Sequence, residues 1–574
     1  MSEMIDGGRT GDITLDPASG PSTPRQTAAE RRALPDFRDI AEVLADEQHI
    51  CRRPVPMRAE DPKTLQVTYI GSPCKSTIES VCPACAAKAR FLRMTQCHEG
   101  WHMDAEPVVD KRTPTQQQKD LVSARSDMFA QYQQAADDGD RELMAGIREV
   151  VASLDVELRG SGFRGRLPDF DKSATERRKR STSRRQDVPE LPRKKVAKTT
   201  VGREYAGKYR PSTFVTLTLD SYGAVHKDGA IDSKGRVCGD GSPRDPQTYD
   251  YQRAARDIVH FAALFDRWIQ NLRRAVGWDV QYFATVEPQK RGAPHLHIAI
   301  RGSIPHAVFR AVTAATYHQV WWPHHDQEVY ADSRMPVWDA DAGTFTDPDT
   351  GQPLTGWDEA LDVMDLVDEL DPAHVIRFGV QVKPIGVLGG TPDADRKVRY
   401  LTKYLTKSIA EIIEPQSHRA AEHYDRLHAE LTHTPCSPRC PVWLRYGIVP
   451  KGATAKTQPG KCKGKAHRRD TLGMPGRRVL ASRRWSNKTL PDHKADRADF
   501  VRQTLAAVGI TPADRSHLII TPVETGDKNV PPRDHLIMAT VSQRITWRAQ
   551  YTNALLAASP PGPQNTSAIQ QAAA

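Results

Sequence analysis

GAPHLHIAIRG, residues 292–302, is the stretch on which the reading of this chain turns. From His295 onward polar and apolar residues alternate, the two-residue period of a β-strand whose faces differ. His295, His297, Ala299 and Arg301 share one face, and Leu296, Ile298 and Ile300 share the other. Gly292, Ala293 and Pro294 make a sharp entry into the strand. Alternate residues lie about 6–7 Å apart along a strand, and two imidazoles at that spacing can share one divalent cation. Two half-buried histidines in an ordinary strand would look the same, so the pair needs support from elsewhere.

Working outward, TFVTLTL (213–219) and VQYFATVE (280–287) are β-branched or alternating and read as strands. Between them, residues 252–276 place Ile258, Phe261, Phe265, Trp268, Ile269 and Leu272 at helical spacing. A helix is expected over 306–322, a strand at HVIRFGVQV (374–382) and a helix over 394–413. This order predicts an α+β domain over 212–415, an antiparallel sheet covered by helices on one side. An acidic insertion at 326–371 interrupts it. Around the domain we expect a disordered N-terminus (1–35), a Cys-rich module (36–103) and a helical and basic arm (104–211), with helix over 115–160. Beyond it come a basic Cys/His module (416–500), a C-terminal helical segment (501–555) and a disordered tail (556–574).

The net charge of +10 favours a polyanionic partner, and its distribution sharpens the point. Residues 177–198 hold ten Lys/Arg against two acids, and 451–494 hold thirteen against two. The insertion at 326–371 reverses the sign, with fourteen Asp/Glu and one Arg. Solvated linkers of either sign are the plain alternative. No run approaches the roughly 18–20 apolar residues of a membrane span. The first residues lack the basic start and apolar core of a signal peptide, so a cytoplasmic protein is expected.

YLTKYLTK (400–407) supplies a possible reaction for the histidines. Tyr400 and Tyr404 lie four apart, hence on one face of a helix, with Lys403 and Lys407 at the same spacing beside them. A phenol with a pKa near 10 is a poor nucleophile at neutral pH. A cation at the target phosphate and a neighbouring lysine both help it. Packed tyrosines and solvated lysines on an amphipathic helix are the alternative. TFVTLTLDSYG, PHLHIAIRG and YLTKYLTKS, in this order, resemble the three motifs of the HUH endonuclease superfamily. The chain looks most like rolling-circle replication initiators of actinobacterial plasmids and integrative elements, over roughly residues 50–103 and 210–555. The resemblance implies that His295 and His297 bind Mg2+ or Mn2+, with Glu287 as third ligand and Gln289 as the fallback. It implies that Tyr400 or Tyr404 attacks the origin phosphate, leaving a 5′-phosphotyrosine and a 3′-hydroxyl primer. The chain carries no GxxxxGK[ST] loop, so no nucleotide cofactor is expected, and a host helicase and polymerase become expected partners.

Eight of nine cysteines fall in or just before two clusters, which without a secretory signal favours metal over disulfides. Cys82-Pro-Ala-Cys85 with Cys74 and Cys51 would close a tetrahedral structural zinc site. Cys97, His98 and His102 are spare candidates, and a redox CxxC is the other reading. Cys436, Cys440, Cys462 and His467 make a second expected zinc site inside the basic module. Its cations are interleaved with Trp443 and Tyr446, a composition suited to backbone binding and base stacking. Arg468, Arg469, Arg477, Arg478, Arg483 and Arg484 are the candidate DNA contacts. Three readings stay open at this point: a replication initiator, a relaxase or single-strand transposase of the same superfamily, and a non-catalytic zinc-containing regulator.

Overall fold

The computed structural model describes residues 27–558 apart from 104–105, 107–113, 164–166, 168–200, 202, 205, 208, 232, 236–238, 332, 368, 475, 508, 512–516 and 525. Residues 1–26 and 559–574, most of the termini expected to be disordered (1–35 and 556–574), the basic run 177–198 and Cys238 lie outside the described residues, while Ala28–Arg32 forms a short helix and the helix Arg533–Ala558 runs into the expected tail. The chain divides into two compact units. One comprises Met1–Arg93, Leu405–Lys407 and Leu490–Ala574, the other Met94–Tyr404 and Ser408–Thr489.

The second unit is α+β and holds the histidine strand. Five antiparallel strands run in the order Lys383–Gly389, Arg210–Thr218, Pro294–Ile300, Tyr282–Pro288, Val479–Ala481. The apolar face of Pro294–Ile300 contributes Leu296, Ile298 and Ile300 to a core shared with Leu217 and Val286. Phe261, Phe265, Trp268 and Leu272 of the helix Tyr251–Val276 fill that core. Each such side chain is worth about 1.5–3 kcal/mol of burial. The helix starts where the Asp250 carboxylate accepts from the Arg253 amide and stops at Gly277, φ 77°. The helix His418–His433 joins the same core through Tyr424, Leu427 and Leu431.

Helices cover both faces, which corrects the one-sided expectation. Phe214, Phe283 and Ala299 make the polar histidine face apolar at one end, and that end needs a lid. Val398 and Leu401 of the helix Pro392–Thr402 provide it, with Trp101 and Trp485. The strand expected at 374–382 meets this sheet only at one bridge, Phe378 to Leu219. His374–Arg377 pairs with Tyr317–Val320 in a separate ladder, because the helix expected over 306–322 ends at Ala315 and Thr316 turns extended. The edge of the main sheet is instead Lys383–Gly389. The helical region 115–160 is two helices, Gln116–Asp137 and Arg141–Gly160, broken at Gly139 with φ 73°. The acidic insertion is built into its surroundings: Trp357, Ala360 and Leu361 pack on Val442, Trp443 and Ile448. Its acids meet the neighbouring cations, with Asp358 2.9 Å from Lys451 and Glu328 3.1 Å from Arg445.

The segments expected as separate modules at 36–103 and 501–555 share the first unit, except that residues 94–103 belong to the second. Val55–Glu60 lies between Val67–Ser72 and Ile519–Pro522 in one antiparallel sheet. The helix Arg533–Ala558 seats Ile537 and Val541 on Ala41, Ala45 and Ile50. The expected module 416–500 is likewise divided: its first helix belongs to the main core, Val479–Ala481 to the main sheet, and Leu490–Ala507 to the first unit. Among the described residues no helix is long and apolar enough to cross a membrane.

The turn between the two central strands depends on one glycine. Gly292 has φ +77°, and a Cβ there would sit 2.6 Å from Leu427 Cδ2. Gly292→Ala is expected to destabilise the second unit by about 1–3 kcal/mol, read as a lowered urea midpoint. An unchanged midpoint would contradict this.

Candidate functional site

Strand register assembles the site. Thr216, His297 and Thr285 form one row across the sheet, and Thr218, His295 and Glu287 form the next. The His297 ring is fixed on three sides: Nδ1 lies 3.1 Å from the Thr216 hydroxyl, Phe214 stacks at 5.8 Å, and His295 meets it edge-on at 4.5 Å between centroids. Glu287 Oε2 is 3.9 Å from His297 Nε2. Burial, then Arg291 and Lys383, hold the His295 pKa down at about 4. Burial, then His295 and Lys397, hold that of His297 at about 3. Both rings are therefore neutral at pH 7, the form that ligates metal. Burial pushes Glu287 up to about 7, against the pull of Arg478 and Lys403.

Glu287 Oε1 and His295 Nδ1 are buried with no hydrogen-bond partner among the described residues. Such orphans cost about 1–3 kcal/mol each unless something meets them. A divalent cation is one thing that would, since imidazoles and carboxylates are both metal donors. Gln289 is already engaged, its Oε1 accepting from Arg291 Nε at 2.9 Å.

Tyr400 reaches this site from the covering helix. Thr391 caps that helix by accepting from the Ala394 amide, with Pro392 in its first turn. The Tyr400 hydroxyl lies 3.1 Å from His297 Nε2, and the residue is 41% exposed, so another molecule can reach it. Burial, then Glu287 and Tyr404, raise its pKa. The continuous helix expected over 394–413 is not formed. It ends at Thr402, one 3-10 turn covers Lys403–Thr406, and Ile409–Ile412 is a separate short helix capped by Ser408. Tyr404 therefore does not follow Tyr400 along one helical face, and Lys403 Nζ stands 4.9 Å from its ring centroid. Lys407 belongs to the other compact unit.

The cations that bear on the site come from separate elements: Arg291 from the turn, Lys383 from the edge strand, Lys397 from the tyrosine helix and Arg478 beside Glu287. Lys403, which also acts on Glu287, adds a fifth; sequence reading singled out Lys403, as support for the tyrosines, and Arg478, as a DNA contact. The others have no motif of their own; only the register gathers them.

Both cysteine clusters converge with the membership expected. The ligand atoms of Cys51, Cys74, Cys82 and Cys85 lie within 4.8 Å of one another, as do those of Cys436, Cys440, Cys462 and His467. Each group could hold a metal ion such as zinc. In the first, Cys51 Sγ is 3.8 Å from Cys82 Sγ and accepts from the Cys74 amide. In the second, His467 Nδ1 donates to the Leu431 carbonyl at 2.8 Å, which leaves Nε2 facing Cys440 Sγ at 3.4 Å. That bond selects the ligating tautomer. Cys97 is no ligand: it is sealed among Trp101, Phe214 and Phe283.

A family model described as "RepSA: Replication initiator protein, pSAM2" matches residues 36–543. The chain belongs to this replication initiator family. A curated protein of Streptomyces ambofaciens, named replication initiator protein, is 27% identical over 251 residues, which cover 38% of this chain and 49% of that protein. The chain thus matches about half the length of that relative. No solved structure matches.

In this family member the six candidate DNA-contact arginines differ in availability. Arg468 is paired with Asp470 and Arg469 with Asp425. Arg484 lies 3.6 Å from Asp279. Arg478 is turned inward, its Nε 3.4 Å from the Val286 carbonyl. Arg477 and Arg483 stand exposed.

Proposed function

We propose that this replication initiator nicks one DNA strand at an origin by tyrosine transesterification, with an HUH-type arrangement of sheet, histidines and tyrosine. The observation that carries the reading is the Tyr400 hydroxyl 3.1 Å from His297 Nε2, in the row next to His295 and Glu287. His295, His297 and Glu287 would hold Mg2+ or Mn2+, which when bound polarises the scissile phosphate. Phe214 and Thr216 keep the His297 ring in place, and the covering helix presents the phenol at the open side.

In the reaction the Tyr400 oxygen bonds to phosphorus as the bond to the 3′-oxygen breaks. The phenol gives up a proton and the leaving oxygen gains one. One phosphodiester replaces another, so no nucleotide is consumed. Lys397 supplies positive charge near His297 and Lys403 near the Glu287 carboxylate. Tyr404 is the candidate second nucleophile for closing the displaced strand. DNA is the proposed partner, and unwinding falls to a host helicase ahead of a host polymerase.

The test is incubation with supercoiled plasmid carrying the chain's own origin and Mn2+. A protein–DNA adduct that survives SDS is expected. Binding with neither nick nor adduct would favour the regulator reading. Glu287→Gln should weaken Mn2+ binding by roughly tenfold or more, measured by calorimetry, while Gln289→Ala leaves it near wild type. Equal affinities for wild type and Glu287→Gln would remove Glu287 from the ligand set.

A further inference from the structure

The first unit contains a cavity of about 550 Å³ that the nicking chemistry does not use. One wall is the helix Arg533–Ala558. Thr540, Gln543, Arg544, Trp547 and Gln550 recur along it every three or four residues and so form one stripe lining the cavity. The preceding turns of this helix are seated on Ala41, Ala45 and Ile50 through Ile537 and Val541. Past Val541 the apolar seating stops and a polar and aromatic wall begins. Lys88 faces it from the helix Pro83–Trp101.

The lining is selective in its chemistry. Among the described residues the lining holds Lys88 and Arg544 and no Asp or Glu, which suits an anion and disfavours a cation. Partial burial and the like charge of Arg548 both act against the charged form of Arg544, a strain that a bound anion would relieve. Trp547 keeps 44% of its surface exposed, a large indole open to solvent at the cavity wall. Such a ring is a platform for a planar heterocycle, worth about 1–3 kcal/mol per stacked base. Gln543 and Gln550 add donors and acceptors on either side of it. Ile50 and Ile510 add apolar surface to the lining, and the volume falls in the usual range of small-ligand sites, about 300–1,000 Å³.

We propose that this cavity holds one unpaired nucleotide of single-stranded DNA, its base stacked on Trp547 and its phosphate between Lys88 and Arg544. The choice of a strand over a free nucleotide rests on DNA being the proposed substrate. A second, separate grip on the unwound strand would hold it without help from the tyrosine site.

The experiment is fluorescence anisotropy of a labelled oligothymidylate of about twenty nucleotides with the full chain and no added Mg2+ or Mn2+. Trp547→Ala should weaken binding roughly tenfold, and Trp547→Phe should keep most of it. Lys88→Ala with Arg544→Ala should lower the salt slope by roughly 0.7 for each phosphate no longer neutralised. Unchanged affinity and slope in both variants, with unchanged thermal melting, would overturn the proposal. Saturable binding of dTMP alone, lost in Trp547→Ala while oligothymidylate affinity stays at wild type, would also overturn it and assign the cavity to a free nucleotide. The readout is binding alone, so a wild-type chain that binds through Trp547 but never nicks would sink the nickase reading and leave this one standing.

Discussion

Tyr400→Phe is expected to abolish the covalent adduct and lower first-strand nicking by at least about a thousandfold, the scale seen when a nucleophile is removed. The substitution deletes one oxygen. The ring keeps its edge-on packing against Phe214 at 6.3 Å and His297 at 4.8 Å, so the covering helix stays in place. Duplex affinity should therefore stay near wild type, because it comes from phosphate contacts elsewhere. Tyr404→Phe should spare the first nick and slow strand closure, since only Tyr400 of the two is hydrogen-bonded with a site histidine among the described residues. The measurements are gel quantification of nicked plasmid and of SDS-resistant adduct. Full nicking by both single variants would remove both tyrosines from the mechanism.

Cys440→Ser is expected to have the largest effect on stability. Cys440 is 1% exposed and lies against Val442 and Trp443, in a cluster that includes Trp357 of the acidic insertion. Apparent zinc-binding free energies for small Cys/His modules run about 10–16 kcal/mol, and that energy is folding energy. Losing one thiolate forfeits much of it. The damage should spread, because His467 is tied to the Leu431 carbonyl on a helix of the main core. Zinc content by mass spectrometry should fall by one per chain, and the thermal midpoint should fall with it. Cys97→Ser is the control and should leave zinc content unchanged. A full zinc complement in Cys440→Ser would show that this cluster does not hold the metal.

The sequence was most informative where pattern and burial coincide. The alternation at 295–300 and the three-four spacing at 252–276 mark a strand and a helix, and both elements formed as expected. Lys383–Gly389 was missed because KPIGVLG holds a proline and two glycines and shows no two-residue period. It is an edge strand, and edges tolerate such residues. The break after Thr402 was missed because YLTKYLTK is a good helical repeat locally, and only the assembled structure ends it. In the site, His295, His297 and Tyr400 came from motifs and Glu287 from a resemblance. The register gives Glu287 a physical place, directly across from His295. Arg291, Lys383 and Lys397 were invisible, since their relation to the histidines exists only once separate elements meet.

The first unit's sheet carries a consequence for how the protein is made. Val55–Glu60 cannot gain its partner Ile519–Pro522 until roughly 450 further residues have left the ribosome, on the order of a minute at about 5–20 residues per second. Through that wait the strand has an unpaired edge open to aggregation, while the second unit can emerge and fold. A chain cut short between residues 489 and 519 would have its five-stranded sheet complete and its first sheet unfinished.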